Sequence, residues 1–388
     1  MYNHAIIHYA EIALKGENRI FFEQRLVNNI KQALKNQEYN NIERQYGRIV
    51  IELNKKSNLD KIKEILKDIP GIEYFSFALY SEPDIESMKD ALLKLAKNLS
   101  KTTTFRITAK KSTTRINLTS MQINEKLGEL IVKKFGSKVK LKDPGLEFII
   151  EITDKGAFHY TEKLKGIGGL PVGVSGKLIS LISGGIDSPV AAFSMFKRGC
   201  RIVFVHFHNN TANKNSVRDK VEKLVKTLTK YQFASKLYLV PFENLQKHII
   251  AAIPAKYRMI IYRRFMLRIA EQILKKEKAK GFITGDSLAQ VASQTLENLN
   301  AIYEATSKPI FAPLIGFDKQ EIINLAERIG TYNTSILPYG DCCSFLVAKH
   351  PETKAKIDEI KELEKSFETE KLVSEALSKA EVKLVKHI

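Results

Sequence analysis

The stretch that most constrains this chain is Ser183-Gly184-Gly185-Ile186-Asp187-Ser188, because of what stands on either side of it. Before it, Lys177-Leu178-Ile179-Ser180-Leu181-Ile182 is apolar and β-branched and reads as a buried strand. After it, Pro189-Val190-Ala191-Ala192-Phe193-Ser194-Met195-Phe196 has helical spacing, with its proline in the first turn where a missing N–H does no harm. A strand, a Ser-Gly-Gly turn and a helix N-terminus form a phosphate cradle. The glycines let backbone N–H groups converge on an anion, and the helix dipole favours negative charge there. The stretch is not a Walker A loop, because no lysine follows the second glycine.

With 388 residues the chain has room for two or three domains, each with its own core. No apolar run approaches the roughly 18 residues of a membrane helix. The start, Met1 to Tyr9, lacks the basic and long apolar regions of a signal peptide. Three cysteines, two of them adjacent, give neither a disulfide framework nor CxxC metal spacing, so a cytoplasmic protein is expected. The 62 Lys+Arg against 43 Asp+Glu leave a net charge of +19, which suits a polyanionic partner. Between 101 and 142, eleven Lys/Arg face only Glu125 and Glu129 and are interleaved with threonine and asparagine, the usual phosphate-contacting set. A second cluster from Lys256 to Lys280 holds nine basic residues against Glu271 and Glu277. Either cluster could equally be a solvated basic face. A phosphate cradle in the same chain favours nucleic acid as a second substrate.

The front of the chain reads as α+β. Strands are expected at Ala5–Tyr9, Gly47–Leu53 and Ile72–Leu79, with helices over 19–30 and Leu59–Asp68, forming a small open sheet with helices on one face. From Pro83 the pattern restarts: helix Ile85–Leu99, strand Thr103–Ala109, helix Ser120–Phe135, strands Glu147–Thr153 and Ala157–Tyr160. Residues 163–173 pack four glycines and a proline and read as the clearest linker. Beyond it, strands at Ile179–Ile182, Ile202–Phe207, Leu237–Val240, Gly281–Thr284 and Ile310–Phe311 alternate with helices, a doubly wound parallel sheet with ligands expected at the strands' carboxyl ends. Residues 351–388 read as charged surface helices. Cys200 opens a strand and reads as a small buried hydrophobe.

The SGGxDS loop resembles that of the ATP pyrophosphatases, and four further segments narrow the likeness. Tyr9-Ala10-Glu11-Ile12-Ala13-Leu14-Lys15-Gly16-Glu17-Asn18-Arg19, Gly168-Gly169-Leu170-Pro171-Val172-Gly173, Thr284-Gly285-Asp286-Ser287-Leu288-Ala289-Gln290-Val291-Ala292-Ser293-Gln294-Thr295 and Leu337-Pro338-Tyr339-Gly340-Asp341-Cys342-Cys343 resemble, in order, signature segments of the tRNA 4-thiouridine synthetase family, whose enzyme is also used in making the thiamine thiazole. The likeness spans nearly the whole chain. It implies an N-terminal ferredoxin-like domain (1–58), a THUMP RNA-binding domain (59–165) and a PP-loop ATP pyrophosphatase domain (166–388).

The resemblance also implies a reaction: uridine 8 of tRNA is adenylated by ATP, and its O4 is replaced by persulfide-derived sulfur. Ser183, Gly184, Gly185 and Ser188 would hold the pyrophosphate. Asp187 repels phosphate by charge, so its expected task is to hold Mg²⁺. By the same likeness Leu181, Ile182, His206, Phe207, Arg263, Gly285 and Gln294 would line the nucleotide, although His206 at a strand end could equally be a packed core residue. Lys319, isolated in sequence, matches the family's essential lysine, and Cys343 its catalytic cysteine. Some members carry a rhodanese domain whose cysteine brings the sulfur. No cysteine follows Cys343 here, so a cysteine desulfurase or other persulfide donor is expected, with Cys342 as a candidate resolving thiol. Lys15, Arg19, Lys110, Lys111 and Arg115 are the expected RNA phosphate contacts, and a homodimer is expected. The alternatives are another PP-loop tRNA-modifying enzyme and a non-catalytic tRNA-binding protein.

Overall fold

Ala5, Ile6 and Ile7 are fully buried, and so their segment becomes a middle strand, paired on both edges. The computed structural model of the chain describes residues 2–209, 214–338 and 348–387. It divides into two units, Met1–Gly169 and Leu170–Ile388, with the division inside the glycine-rich stretch.

The first unit runs β1 (His4–His8), α1 (Arg19–Ala33), β2 (Asn41–Gln45), β3 (Arg48–Glu52), α2 (Leu59–Lys67), β4 (Tyr74–Ser81), α3 (Ile85–Leu95), β5 (Phe105–Lys111), α4 (Ser120–Phe135), β6 (Leu146–Thr153), β7 (Gly156–Tyr160) and β8 (Leu164–Lys165). Among the described residues these strands form one eight-stranded sheet, ordered β2-β3-β1-β4-β7-β6-β5, with β8 also on β4. The small open sheet expected at the front is therefore continuous with the strands that follow, because β4 is long enough to pair β1 along 74–78 and β7 along 79–81. β2, with a single buried apolar residue, carries no strand pattern of its own. It is held by its hairpin register to β3 across the Tyr46-Gly47 turn, where Gly47 takes φ +79°. Helices start where caps allow: Asn58, Asp84 and Thr119 each accept the N–H three residues on.

Glu151 of β6 is a buried carboxylate on one face of this sheet. His8 Nε2 lies 3.0 Å away, Arg48 Nη1 2.5 Å, and Tyr160 OH donates at 2.6 Å. Burial alone would raise its pKa; His8, Arg48 and Tyr160 outweigh that and hold it at about 2. Four strands, β1, β3, β6 and β7, are thus tied through one side chain.

The second unit runs β9 (Lys177–Leu181), α5 (Asp187–Lys197), β10 (Arg201–His208), α6 (Lys214–Thr229), β11 (Ala234–Pro241), α7 (Glu243–Ala252), α8 (Arg258–Glu277), β12 (Phe282–Ile283), α9 (Leu296–Tyr303), β13 (Ile310–Phe311), α10 (Lys319–Ile329), α11 (Tyr332–Ser335), α12 (Ile357–Glu364), α13 (Thr369–Ser378) and β14 (Glu381–Lys386). Its described strands form a six-stranded sheet, β13-β12-β9-β10-β11-β14, parallel except for β14. The order reverses between β9 and β12, so the crevice of this topology opens at their carboxyl ends. Strands β9, β10 and β11 fall where continuous apolar runs predicted them. Cys200 is buried beside β10, and burial pushes its thiol pKa up.

Two expectations are corrected here. Residues 351–388 are not simply charged surface helices. Ile360, Leu372, Val373 and Ala376 bury into the core that α8 forms, and β14 pairs antiparallel with β11. The basic cluster at 256–280 is also not an open basic face. Arg264 is 1% exposed and bound to Glu364 and Glu304, Arg268 pairs with Glu364, Lys256 with Glu352, and Arg263 with Asp286. Acids distant in sequence consume much of its charge.

Candidate active site

The Ser-Gly-Gly turn leaves β9 and enters α5 directly, with Asp187 as the first helical residue. Ser188 Oγ accepts Ser183 N–H at 2.9 Å and lies 3.1 Å from Ser183 Oγ, while Gly185 N–H reaches Ser183 Oγ at 3.2 Å. These bonds fold the loop on itself before any ligand arrives. Gly285, after β12, is required by the close approach of this turn: a Cβ there would lie 2.8 Å from Ser188 N and 3.0 Å from Asp187 C. The chain just after β12 thus lies against the N-terminus of α5 with no side chain between them.

A cavity of about 250 Å³ opens at this meeting point. Leu181, Ser183, Asp187, Ser188, Arg263, Gly285 and Gln294 line it, seven of the residues the sequence nominated. Ile182 and Phe207 lie instead in the core, 3% and 5% exposed, while Gly184 and Gly185 form the turn itself. His206 donates from Nδ1 to Ile182 O at 2.9 Å, tying the end of β10 to the entry of the loop. Sequence reasoning missed Met259, Met266, Leu267 and Ile302, which give the cavity apolar walls, and Thr284, Asp286 and Ser293. A signal was there: Met259, Arg263, Met266 and Leu267 follow i, i+4, i+7, i+8 spacing, one face of α8.

Two carboxylates flank the cavity, and each has its own cation. Lys319 Nζ sits 2.7 Å from Asp187 Oδ1, and Gln290 Nε2 donates to Oδ2 at 2.9 Å. Lys319 is delivered by the start of α10, where Asp318 and Glu321 form a reciprocal capping box. Asp286 receives Arg263 Nη2 on both oxygens, at 2.8 and 2.7 Å, with Tyr303 OH at 2.7 Å and Gln294 Nε2 at 3.2 Å. Burial would raise the Asp286 pKa, yet Arg263 and the hydroxyl donors hold it below the usual carboxylate range. Burial and the Asp286 charge push the Tyr303 phenol well up.

No group of three or more metal-ligating side chains occurs among the described residues. Asp187 keeps lone pairs beyond its two donors, so it fits a Mg²⁺ held by one carboxylate with substrate phosphates supplying the other oxygens. Cys342 and Cys343 lie outside the described residues.

In the first unit, Lys110 and Arg115 are exposed. Lys111 Nζ donates to Ile116 O at 2.6 Å and Leu118 O at 3.1 Å, closing the loop after β5. Arg19 binds Glu23 at 2.7 Å and Tyr9 OH at 2.8 Å and lies over the Tyr46 ring, and Lys15 Nζ lies 5.3 Å from the Phe22 ring centroid. These two residues pack the N-terminal motif onto α1.

A phosphate-cradling loop at the switch point of a doubly wound sheet, with a lysine–aspartate pair beside it, defines a PP-loop nucleotide-binding protein. The chain matches the thiamine biosynthesis protein (ThiI) family over residues 173–369, the ThiI ferredoxin-like domain over 4–76 and the THUMP domain over 82–162. It belongs to the ThiI family. A probable tRNA sulfurtransferase of Thermus thermophilus is 42% identical over 374 residues, covering 96% of this chain and 92% of that protein. One of Coxiella burnetii is 40% identical over 389 residues, with 98% and 99% covered. A solved 4-thiouridine synthetase–RNA complex with bound ATP superposes with a TM-score of 0.90 at 36% identity, covering all of both chains. The fold class and the family resemblance read from the sequence are those found. Among the described residues no helix is long and apolar enough to cross a membrane.

Proposed function

We propose that this protein is an ATP-dependent tRNA sulfurtransferase that converts uridine 8 of tRNA to 4-thiouridine. The observation that carries the reading is the self-bonded Ser183–Ser188 loop at the cavity, whose own Asp187 is paired with Lys319 from the start of α10. The match to a 4-thiouridine synthetase bound to RNA and ATP supplies the substrate class.

Uridine O4 is a poor leaving group and must be activated. In the proposed first step O4 attacks the α-phosphorus of ATP, the bond to the β,γ-pyrophosphate breaks, and the N3 proton is lost to solvent. The loop N–H groups and serine hydroxyls bind the departing pyrophosphate. Mg²⁺, when bound by Asp187 and the phosphates, supplies charge neutralisation for that leaving group. Lys319, beside Asp187, would offset charge building on the α-phosphate. The apolar wall of Met259, Met266 and Leu267 suits an adenine ring.

In the second step a persulfide on Cys343 attacks C4 and AMP leaves, which joins the base to Cys343 through an S–S bond. A thiolate, proposed as Cys342, cleaves that bond at the Cys343 sulfur. 4-Thiouridine is released, and the resulting cysteine disulfide is reduced by an external thiol. The persulfide comes from a cysteine desulfurase or another persulfide donor, and the working unit is proposed as a homodimer.

The test is purified protein with unmodified tRNA, Mg-ATP and a persulfide source, read by nucleoside mass analysis and AMP release. Thiouridine at position 8 that is lost in Asp187→Ala and Cys343→Ser supports the reading. AMP without thiouridine keeps the ATP pyrophosphatase and reopens the choice of nucleophile, and neither product leaves only an RNA-binding protein. Full multiple-turnover thiolation by Cys342→Ser would remove Cys342 from the scheme.

A further inference from the structure

We infer that Asp286 is a positioning residue for nucleotide binding: its buried carboxylate fixes Arg263 and Gln294 in the orientation in which both meet ATP. The inference rests on the cavity being the ATP site.

The two carboxylates of the cavity have opposite surroundings. The Asp187 side chain is 21% exposed and its lysine partner 46%, a loose pair that water and ligand can reach. The Asp286 side chain is 4% exposed and its arginine 18%. A buried carboxylate beside an anionic ligand is repulsive in itself, and it persists only where its own donors satisfy it. Asp286 has them from three directions: Arg263 on α8, Gln294 in the loop after β12, and Tyr303 at the end of α9. Arg263 Nη1 also reaches Ser293 O at 3.3 Å, which sets the plane of the guanidinium. An arginine on one turn of a helix has many rotamers. One carboxylate that takes Nη2 on both oxygens selects among them before ATP binds, so binding loses less side-chain entropy. The same oxygen that receives Arg263 receives Gln294, so the two groups are placed together. The environments of the two carboxylates thus divide the work: Asp187 faces the chemistry, and Asp286 holds the residues that hold the nucleotide.

The test is a double-mutant cycle on the full chain. Equilibrium binding of Mg-ATP is measured for the native protein, Asp286→Asn, Arg263→Gln and the double variant, with thermal unfolding as a check on folding. Each single change is expected to weaken ATP binding about 10–100-fold, the loss of a charge-assisted hydrogen bond at a partly buried site. The double variant is expected to be no weaker than the worse single one, because both remove the same arrangement. Native-like ATP affinity in Asp286→Asn, or losses that multiply, would overturn the inference. Should Asp286→Asn not fold, Tyr303→Phe removes one donor and leaves the charge. It is expected to weaken ATP binding a few-fold in the native background and not at all with Arg263→Gln, and an equal loss in both would also overturn it. A native protein that fails to bind Mg-ATP sinks the reading of the cavity itself, a result that no Asp286 variant can mimic.

Discussion

Asp187 and Lys319 are 132 positions apart and meet at 2.7 Å, which turns two separate motif residues into one ion pair at the mouth of the phosphate loop. Charge placed where the transition state builds it contributes most to rate and least to ground-state binding. Lys319→Met is therefore expected to lower tRNA-dependent AMP release about 10²–10³-fold while ATP affinity changes several-fold at most, a split that single-turnover kinetics and equilibrium binding would resolve. Gly285 is the packing counterpart. An alanine Cβ would lie 2.8 Å from Ser188 N, so the loop must move. Gly285→Ala is expected to cost about 1–3 kcal/mol in urea unfolding and to weaken ATP binding, and unchanged affinity would show that the loop tolerates the shift. The glycines, serines and aspartate of the loop were legible in the sequence because their spacing is the chemistry. Asp286 stood in a quoted motif but was not nominated. Its partner Arg263 lies 23 residues upstream on another element, and no local pattern reports that pairing.

Among the elements, strands buried on both faces announced themselves by continuous apolar runs, and β9, β10 and β11 were read within a few residues of their ends. The edge strands β2 and β14 were not. β14 alternates charged and apolar residues only over Glu381–Leu384, and what makes it a strand is pairing to β11, more than a hundred residues earlier in the chain. The anchoring of α12 was equally hidden, since it depends on Glu364 meeting Arg264 and Arg268 across 100 and 96 positions. Glu364→Gln leaves Arg268 without its carboxylate and the buried Arg264 with Glu304 as its carboxylate partner, and is expected to cost about 1.5–3 kcal/mol in urea unfolding. β7 carries a pH dependence of its own. Burial lowers the His159 pKa to about 4 from 6.5, so the folded state resists a proton that the unfolded state accepts. Stability from this group is complete above pH 6.5 and is lost as pH falls toward 4, about 2 kcal/mol between pH 7.5 and 5. His159→Gln is expected to flatten that part of the pH profile of unfolding, and an unchanged profile would exclude the histidine as its source.

For the whole molecule, a net charge of +19 promises an anionic partner but does not say which cations meet it. The structure separates those engaged in the fold from those turned to solvent. Lys111 and Arg19 are held by carbonyls, Tyr9 and Glu23, while Lys110 and Arg115 are exposed. Lys110→Ala and Arg115→Ala are expected to lower the salt-dependence slope of tRNA binding by about one each without changing stability. Arg19→Ala is expected to lower unfolding stability as well as affinity, and binding measured from low to high salt beside urea unfolding would distinguish the two kinds of lysine and arginine. Fold class was legible at this scale because the strand–helix pattern restarts at Pro83 and again after the glycine-rich stretch, while the order of named domains came from the family resemblance of the motifs. Which charges are spent internally was not, since ion pairs such as Arg264–Glu364 form only once the chain has closed.

The pairing of β14 with β11 has a practical side. The match to the family model ends at residue 369, the first residue of α13 and twelve positions before β14 begins, although relatives align beyond it, and that boundary would invite a cut there. A chain so cut would lose α13 and β14 and lay bare the row of N–H and C=O groups along Ala234–Pro241, an open edge that recruits strands from neighbouring molecules. Such a trimmed protein would be expected to appear in light scattering as growing aggregates rather than as a smaller enzyme, so the homology boundary is a poor place to cut.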